Sequence, residues 1–185
     1  MKKLYNQLVM MFVATLLILS SQATAQSNQY LHFDKVDDFV ILNDASQYFS
    51  GTNQMSLTGW FYCDALAYGQ GYYGFRIGSG TAEFYIIQLN NGVLECRLKT
   101  TTGLWEYVSP ANTVIPQVWQ HIAWIYDGTS IKLYVNGTLK GSKAASGTFL
   151  GTNVNFGIGK SLLGGFNFVY GGRIDEVSVW NKGLS

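Results

Sequence analysis

"WQHIAWIYDGTSIKLYVNGTLKG", residues 119–141, decides the fold. Two dipeptides punctuate it, Asp127-Gly128 and Asn136-Gly137. Such pairs favour the primed turns that join antiparallel neighbours. Between them, Ile131, Leu133 and Val135 share one face of an extended chain, and Lys132 and Tyr134 the other. The segment 118–143 is therefore expected to be a three-stranded meander. Its first strand places Trp119, Ala123 and Ile125 on one face and Ile122, Trp124 and Tyr126 on the other. A strand apolar on both faces is central and covered twice, or its second face lines a concave surface.

Outward from this meander the same texture continues. Short alternating or apolar runs are broken by Gly, Asn, Asp and Ser, and almost nothing has helical period. Strands are expected at 30–34, 38–42, 55–63, 72–78, 83–89, 93–99, 105–109, 118–126, 131–135, 138–143, 154–159 and 173–180. So many short strands imply an all-β, two-sheet antiparallel sandwich. No fixed-period repeat, low-complexity tract or linker interrupts it.

The N-terminus reads differently. Lys2 and Lys3 precede an uncharged run, Leu8 to Leu19, and Ala23 and Ala25 give the small-x-small pattern of a signal-peptidase site. Residues 1–25 are expected to be a cleaved secretory signal, with 26–185 as one domain. The apolar run is short for a bilayer span, so no membrane span is expected in the mature chain. Removing both lysines takes the formal charge from +1 to −1. There is no basic stripe, which argues against nucleic-acid binding. Cys63 and Cys96 can pair in an exported protein, or remain as buried free thiols.

Acidic residues gather at two places. "FDKVDDFVIL" (33–42) holds Asp34, Asp37 and Asp38, which can bind a metal or shape a turn. "GGRIDEVSVWNKGLS" (171–185) holds Asp175 and Glu176, adjacent and so expected on opposite faces of a strand. That alternation puts Asp175 with Val177 and Val179 on the apolar face. A carboxylate there needs a partner, with Arg173 or a hard cation as candidates.

Four blocks in order resemble the laminin-G-like jelly roll of the concanavalin A-like lectin/glucanase superfamily, in its secreted bacterial form. They are "YLHFDKVDDFVIL", "MSLTGWFYCD" with its central Trp60, the 118–141 meander built on Trp119 and His121, and "FGIGKS" followed by "GGRIDEVSVWNKGLS". The resemblance spans the mature chain. It implies a jelly-roll sandwich and, in many members, Ca²⁺ near the first and last strands, here at Asp34 and Asp175. Lys35 stands where the family usually has glycine.

The resemblance also frames function. Glucanases of the superfamily carry acids on one strand at even spacing, on one face. Glu83, Glu95 and Glu106 stand alone in separate strands, and no such set is present, so no enzyme is expected. His32 and His121 are the only histidines, and His121 reads as a scaffold residue. Superfamily members often bind glycans, whose apolar faces stack on aromatic rings. The candidates are Tyr72, Tyr73 and Arg76 in "AYGQGYYGFRIGSG", Trp105 and Tyr107 in "GLWEY", and Phe166, Asn167 and Tyr170 in "GGFNFVYGG". The first expectation is a secreted, non-catalytic module that binds a polysaccharide or other glycan. The alternatives are an adhesion module that binds an extracellular protein and a diverged glycoside hydrolase.

Overall fold

A computed structural model describes residues 29–76, 83–151, 154–161 and 168–185. The expected signal peptide, and Phe166 and Asn167 with it, lie outside the described residues. Fourteen strands follow in order: β1 Leu31–Asp34, β2 Val40–Leu42, β3 Met55–Cys63, β4 Gln70–Arg76, β5 Glu83–Gln88, β6 Leu94–Thr100, β7 Gly103–Val108, β8 Trp119–Tyr126, β9 Ser130–Val135, β10 Thr138–Ala144, β11 Phe156–Ile158, β12 Lys160–Ser161, β13 Phe168–Val169 and β14 Gly171–Trp180. Every strand expected from the sequence is present to within a few residues; the short pair β12–β13 is additional.

The strands form two six-stranded sheets, ordered β1-β14-β3-β8-β9-β10 and β2-β11-β4-β5-β6-β7. Alternation explains both inner faces. In β9, Ile131, Leu133 and Val135 are buried and Lys132 and Tyr134 half-buried. In β6, Leu94, Cys96 and Leu98 point in while Glu95, Arg97 and Lys99 point out. The two sheets meet through aromatic rings. Phe61 of β3 stacks on Tyr73 of β4 with centroids 5.0 Å apart, and the Tyr73 hydroxyl donates across the sandwich to the Ile122 carbonyl at 3.3 Å. Cys63 and Cys96 are both buried and free, and burial pushes both thiols up, Cys96 strongly.

The two turns of the central meander differ from each other. Asn136 and Gly137 have φ of 50° and 72°, the primed turn expected of this pair. At Asp127-Gly128 only the glycine is left-handed, at 94°, and the Asp127 carboxylate organises the loop instead. It accepts the backbone N–H of Thr129 at 2.9 Å and of Ser130 at 2.8 Å, and pairs with Lys132 at 2.6 Å. These bonds outweigh the desolvation that pushes its pKa up, and hold the carboxyl well below the usual range.

β14 departs from simple alternation. Asp175 pairs with Trp60 and Ser178 with Thr58, so β14 carries one extra residue against β3. This is a β-bulge, with Glu176 at φ 50°. The extra residue reverses the phase. Ile174 is buried before it, and Val177 and Val179 pack on the core after it. Asp175 therefore does not share a face with Val177 and Val179; it points outward with Arg173.

Candidate functional site

The outer face of the β1-β14-β3-β8-β9-β10 sheet has two halves. Toward one end the C-terminal segment covers it. The Ser56 hydroxyl donates to the Lys182 carbonyl at 2.7 Å and accepts the Leu184 N–H at 3.0 Å. Ser56, Ala123 and Ile125 are buried on that outer side. The other end stays open and is aromatic.

Strand register builds this open half in two rows. His32 pairs with Arg173, Arg173 with Tyr62, and Tyr62 with Trp119. In the next row Asp175 pairs with Trp60 and Trp60 with His121, whose N–H is accepted by the Asn136 side chain at 2.8 Å. Tyr30 precedes β1 and meets Trp119 edge-on with centroids 5.9 Å apart. Tyr62 lies 5.7 Å from Trp119, and Trp60 5.3 Å from His121. Tyr30 remains 46% and Trp60 37% exposed. Exposed aromatic rings held in fixed orientation are suited to serve as a binding platform, since each presents a large apolar surface at low entropic cost.

Three adjoining depressions share these walls. One of about 550 Å³ is lined by Tyr30, Trp60, Trp119, Asp175 and Glu176. The second, about 520 Å³, lies across the two tryptophans and adds His121, Asn136 and Gly137. The third, about 470 Å³, continues from Tyr30, Asp175 and Glu176 toward Ile158. These volumes fall in the range of small-ligand sites. The bulge is decisive here. Asp175 and Glu176, adjacent and expected on opposite faces, both line the first depression because Glu176 takes the left-handed conformation. The Asp175 carboxylate accepts the Glu176 N–H at 2.8 Å.

The residues singled out in the sequence fare unequally. Tyr72, Tyr73 and Tyr170 are 0–1% exposed and Arg76 is buried, so none presents a surface to a ligand. The physical reason is local. A bulge between Gly71 and Tyr73 turns both tyrosines away from solvent, and β12 lies directly on β4. A Cβ at Gly71 would stand 2.1 Å from the Ser161 nitrogen. Burial pushes all three phenols well up, so they stay neutral. Arg76 donates to the Ser161 hydroxyl at 3.2 Å and stacks 4.2 Å over Tyr85. Trp105 and Tyr107 are half-buried at the open side of the sandwich. Trp105 donates to the Thr100 hydroxyl at 2.9 Å and lines a small depression of about 350 Å³ with Gly128 and Ser146. Tyr107 bridges the two sheets, donating to the Lys140 carbonyl at 2.6 Å.

The structure does not bring Asp34 and Asp175 together. Asp34 lies opposite Gly171, whereas Asp175 lies one position beyond the Leu31–Ile174 pair. Four strand positions separate them, roughly 13 Å. The acids that do converge are Asp34, Asp37 and Asp38, with one carboxylate oxygen of each within 4.8 Å of the others. They also build the opening turn. Asp34 accepts the Val36 N–H at 2.7 Å, and Asp38 accepts the Asp34 N–H at 3.1 Å. Lys35 takes φ 67° there, the conformation for which the family's glycine is suited.

A family model described as the concanavalin A-like lectin/glucanases superfamily matches residues 34–185. The chain belongs to this superfamily. No curated relative matches it. Among solved structures it is similar to the CBM40 module of the Ruminococcus gnavus IT-sialidase bound to α2,3-sialyllactose. The two are 19% identical with a TM-score of 0.67, over 85% of this chain and 92% of that one. It is also similar to domain 4 of an extracellular arabinanase from Geobacillus stearothermophilus in complex with arabinotriose. There the identity is 18% and the TM-score 0.61, over 88% of this chain and 75% of that one. A third similar structure is the NanB sialidase of Streptococcus pneumoniae, at 18% identity and TM-score 0.67. The match covers 85% of this chain and 26% of that one. At these identities the likeness establishes the jelly-roll fold and leaves the site to be argued from this chain's own residues.

The residues that sequence reading passed over are Tyr30 and Tyr62, with Arg173 noted only as a partner for Asp175, and Trp60 and Trp119 only as markers of the fold. A signal was present. The apolar-on-both-faces pattern of β8 offered a concave lining as one of its two meanings.

Proposed function

We propose that this superfamily member is a secreted, non-catalytic glycan-binding module whose ligand lies across the outer face formed by Tyr30, Trp60, Tyr62 and Trp119. The single observation that carries the reading is the set of depressions sharing the Trp60 and Trp119 walls. A trough wider than one ring suits an oligosaccharide, whose C–H faces stack on the indoles while hydroxyls reach Asn136, His121 and the carboxylates. The sialyllactose and arabinotriose ligands of the two similar modules support a glycan as the ligand class. A glycan array on the purified domain tests it. Binding that is lost in Trp60→Ala, while the fold is retained, is the expected result; a blank array together with capture of an extracellular protein favours the adhesion reading.

Catalysis has one observation in its favour, the two carboxylates in the first depression. Hydrolysis needs one acid to protonate and the other to attack or activate water from opposite sides of the bond. Adjacent residues on one bulge approach a ligand from the same side, which fits binding better. Release of reducing ends from a glycan bound on the array would reverse this. Calcium is proposed as a stabiliser of the opening turn, apart from the glycan site. Three convergent carboxylates suit a hard cation. The melting temperature should then rise with free calcium, and Asp38→Asn should remove the rise.

A further inference from the structure

We infer that the first depression selects a sugar carrying a cationic amino group over neutral or anionic sugars. The inference rests on the glycan-binding reading and names its ligand class. Five residues line the depression: Tyr30, Trp60 and Trp119 as aromatic walls, and Asp175 and Glu176 as its charged members. Among the described residues neither carboxylate has a Lys, Arg or His nitrogen within 4.0 Å. The bulge that turns Glu176 to this side holds a non-glycine residue at φ 50°, a conformation that costs free energy unless something favours it. Arg173, on the same face, stacks on aromatic rings and makes no ion pair with either carboxylate. Its guanidinium lies 4.6 Å over the Tyr62 ring and 5.2 Å over the Tyr30 ring. Two negative charges therefore face aromatic walls with one positive charge displaced to their side.

A protonated amine suits this arrangement twice over. Ring faces attract a cation through their quadrupole, most strongly indole. A carboxylate adds a charge-assisted hydrogen bond to the ammonium. An acidic sugar such as sialic acid would instead meet two like charges. An N-acetylated sugar could stack on the rings but would bring no charge to Asp175 or Glu176. The ligand class is thus a glucosamine-type oligosaccharide with free amino groups.

Calorimetric titration of the whole domain with glucosamine tetramer, with N-acetylglucosamine tetramer and with sialyllactose tests this, at low and at high salt. The expected result is at least a tenfold preference for the amine at low salt, shrinking at high salt as the exposed charges are screened. Glu176→Gln and, separately, Asp175→Asn should each weaken the glucosamine tetramer by a larger factor than the N-acetylated one and so reduce the preference, whereas Trp60→Ala should weaken both by a similar factor. Glu176 is exposed, so its variant leaves folding untouched. Equal binding of the two tetramers, or tighter binding of sialyllactose, overturns the amine inference while a Trp60 dependence upholds the glycan face. Sugar binding that ignores Trp60 overturns both.

Discussion

Replacing Gly137 by valine should lower the melting temperature by roughly 2–8 °C. The turn at Asn136-Gly137 needs left-handed backbone at both positions, and Gly137 has φ 72°. A Cβ built there meets nothing within 4 Å. An added Cβ thus meets no neighbour, and the expected cost is that of the left-handed conformation. Left-handed backbone costs an L-residue about 1–2 kcal/mol. For a domain of this size each kcal/mol moves the midpoint by about 2–4 °C. Thermal unfolding followed by circular dichroism reads the shift. Gly137→Asn is the control, because asparagine visits this conformation readily. The expected order of stability is Gly, Asn, Ala, Val. A valine variant that melts with the wild type, or an asparagine variant as damaged as valine, would refute the reasoning, since space rather than φ would then be setting the order.

Two further predictions concern the Asp127 turn and the β14 bulge. The Asp127 carboxyl is held low by its hydrogen bonds, so its contribution is complete above about pH 4 and is lost as the pH falls through the lower folded-state value. Urea unfolding should find Asp127→Asn less stable than wild type at pH 7, with the gap closing toward pH 2; a gap independent of pH would contradict this. Glu176→Gly should stabilise the domain by roughly 0.5–1 kcal/mol by removing left-handed strain, after allowing for the added freedom of the unfolded chain. Chemical denaturation measures it, and destabilisation would mean that the Glu176 side chain holds the bulge.

The sandwich was legible in the sequence because its signals are local. Period-two alternation in residues 131–135 and the Asn136-Gly137 pair each needs only neighbouring residues to be read. The proposed binding face was not, for two physical reasons. Bulges shift the phase of a strand by one residue, and nothing in "RIDEV" or "GQGYYG" marks where the extra residue sits. Asp175 was therefore assigned to the wrong face, and Tyr72 and Tyr73 read as exposed. The platform is also assembled across strands: Tyr30, Trp60, Tyr62 and Trp119 come from three separate segments that meet only through register. Aromatic residues beside glycines looked like loop rims, whereas Tyr170 fills the core against Tyr72 at 4.8 Å. The opening acidic turn was read correctly in outline, since its carboxylates do accept the N–H groups of their own segment.

The claim that ligand binds the open half of this sheet is tested most directly by following tryptophan indole N–H signals during a glycan titration. The chain has five tryptophans, and they report on different places. Trp60 and Trp119 line the proposed platform, Trp105 lies on β7 at the edge of the other sheet, and Trp124 is fully buried. The signals of Trp60 and Trp119 should move with ligand while those of Trp105 and Trp124 stay in place. Movement of Trp105 with Trp60 and Trp119 unmoved would contradict the account and put the site at the sandwich edge.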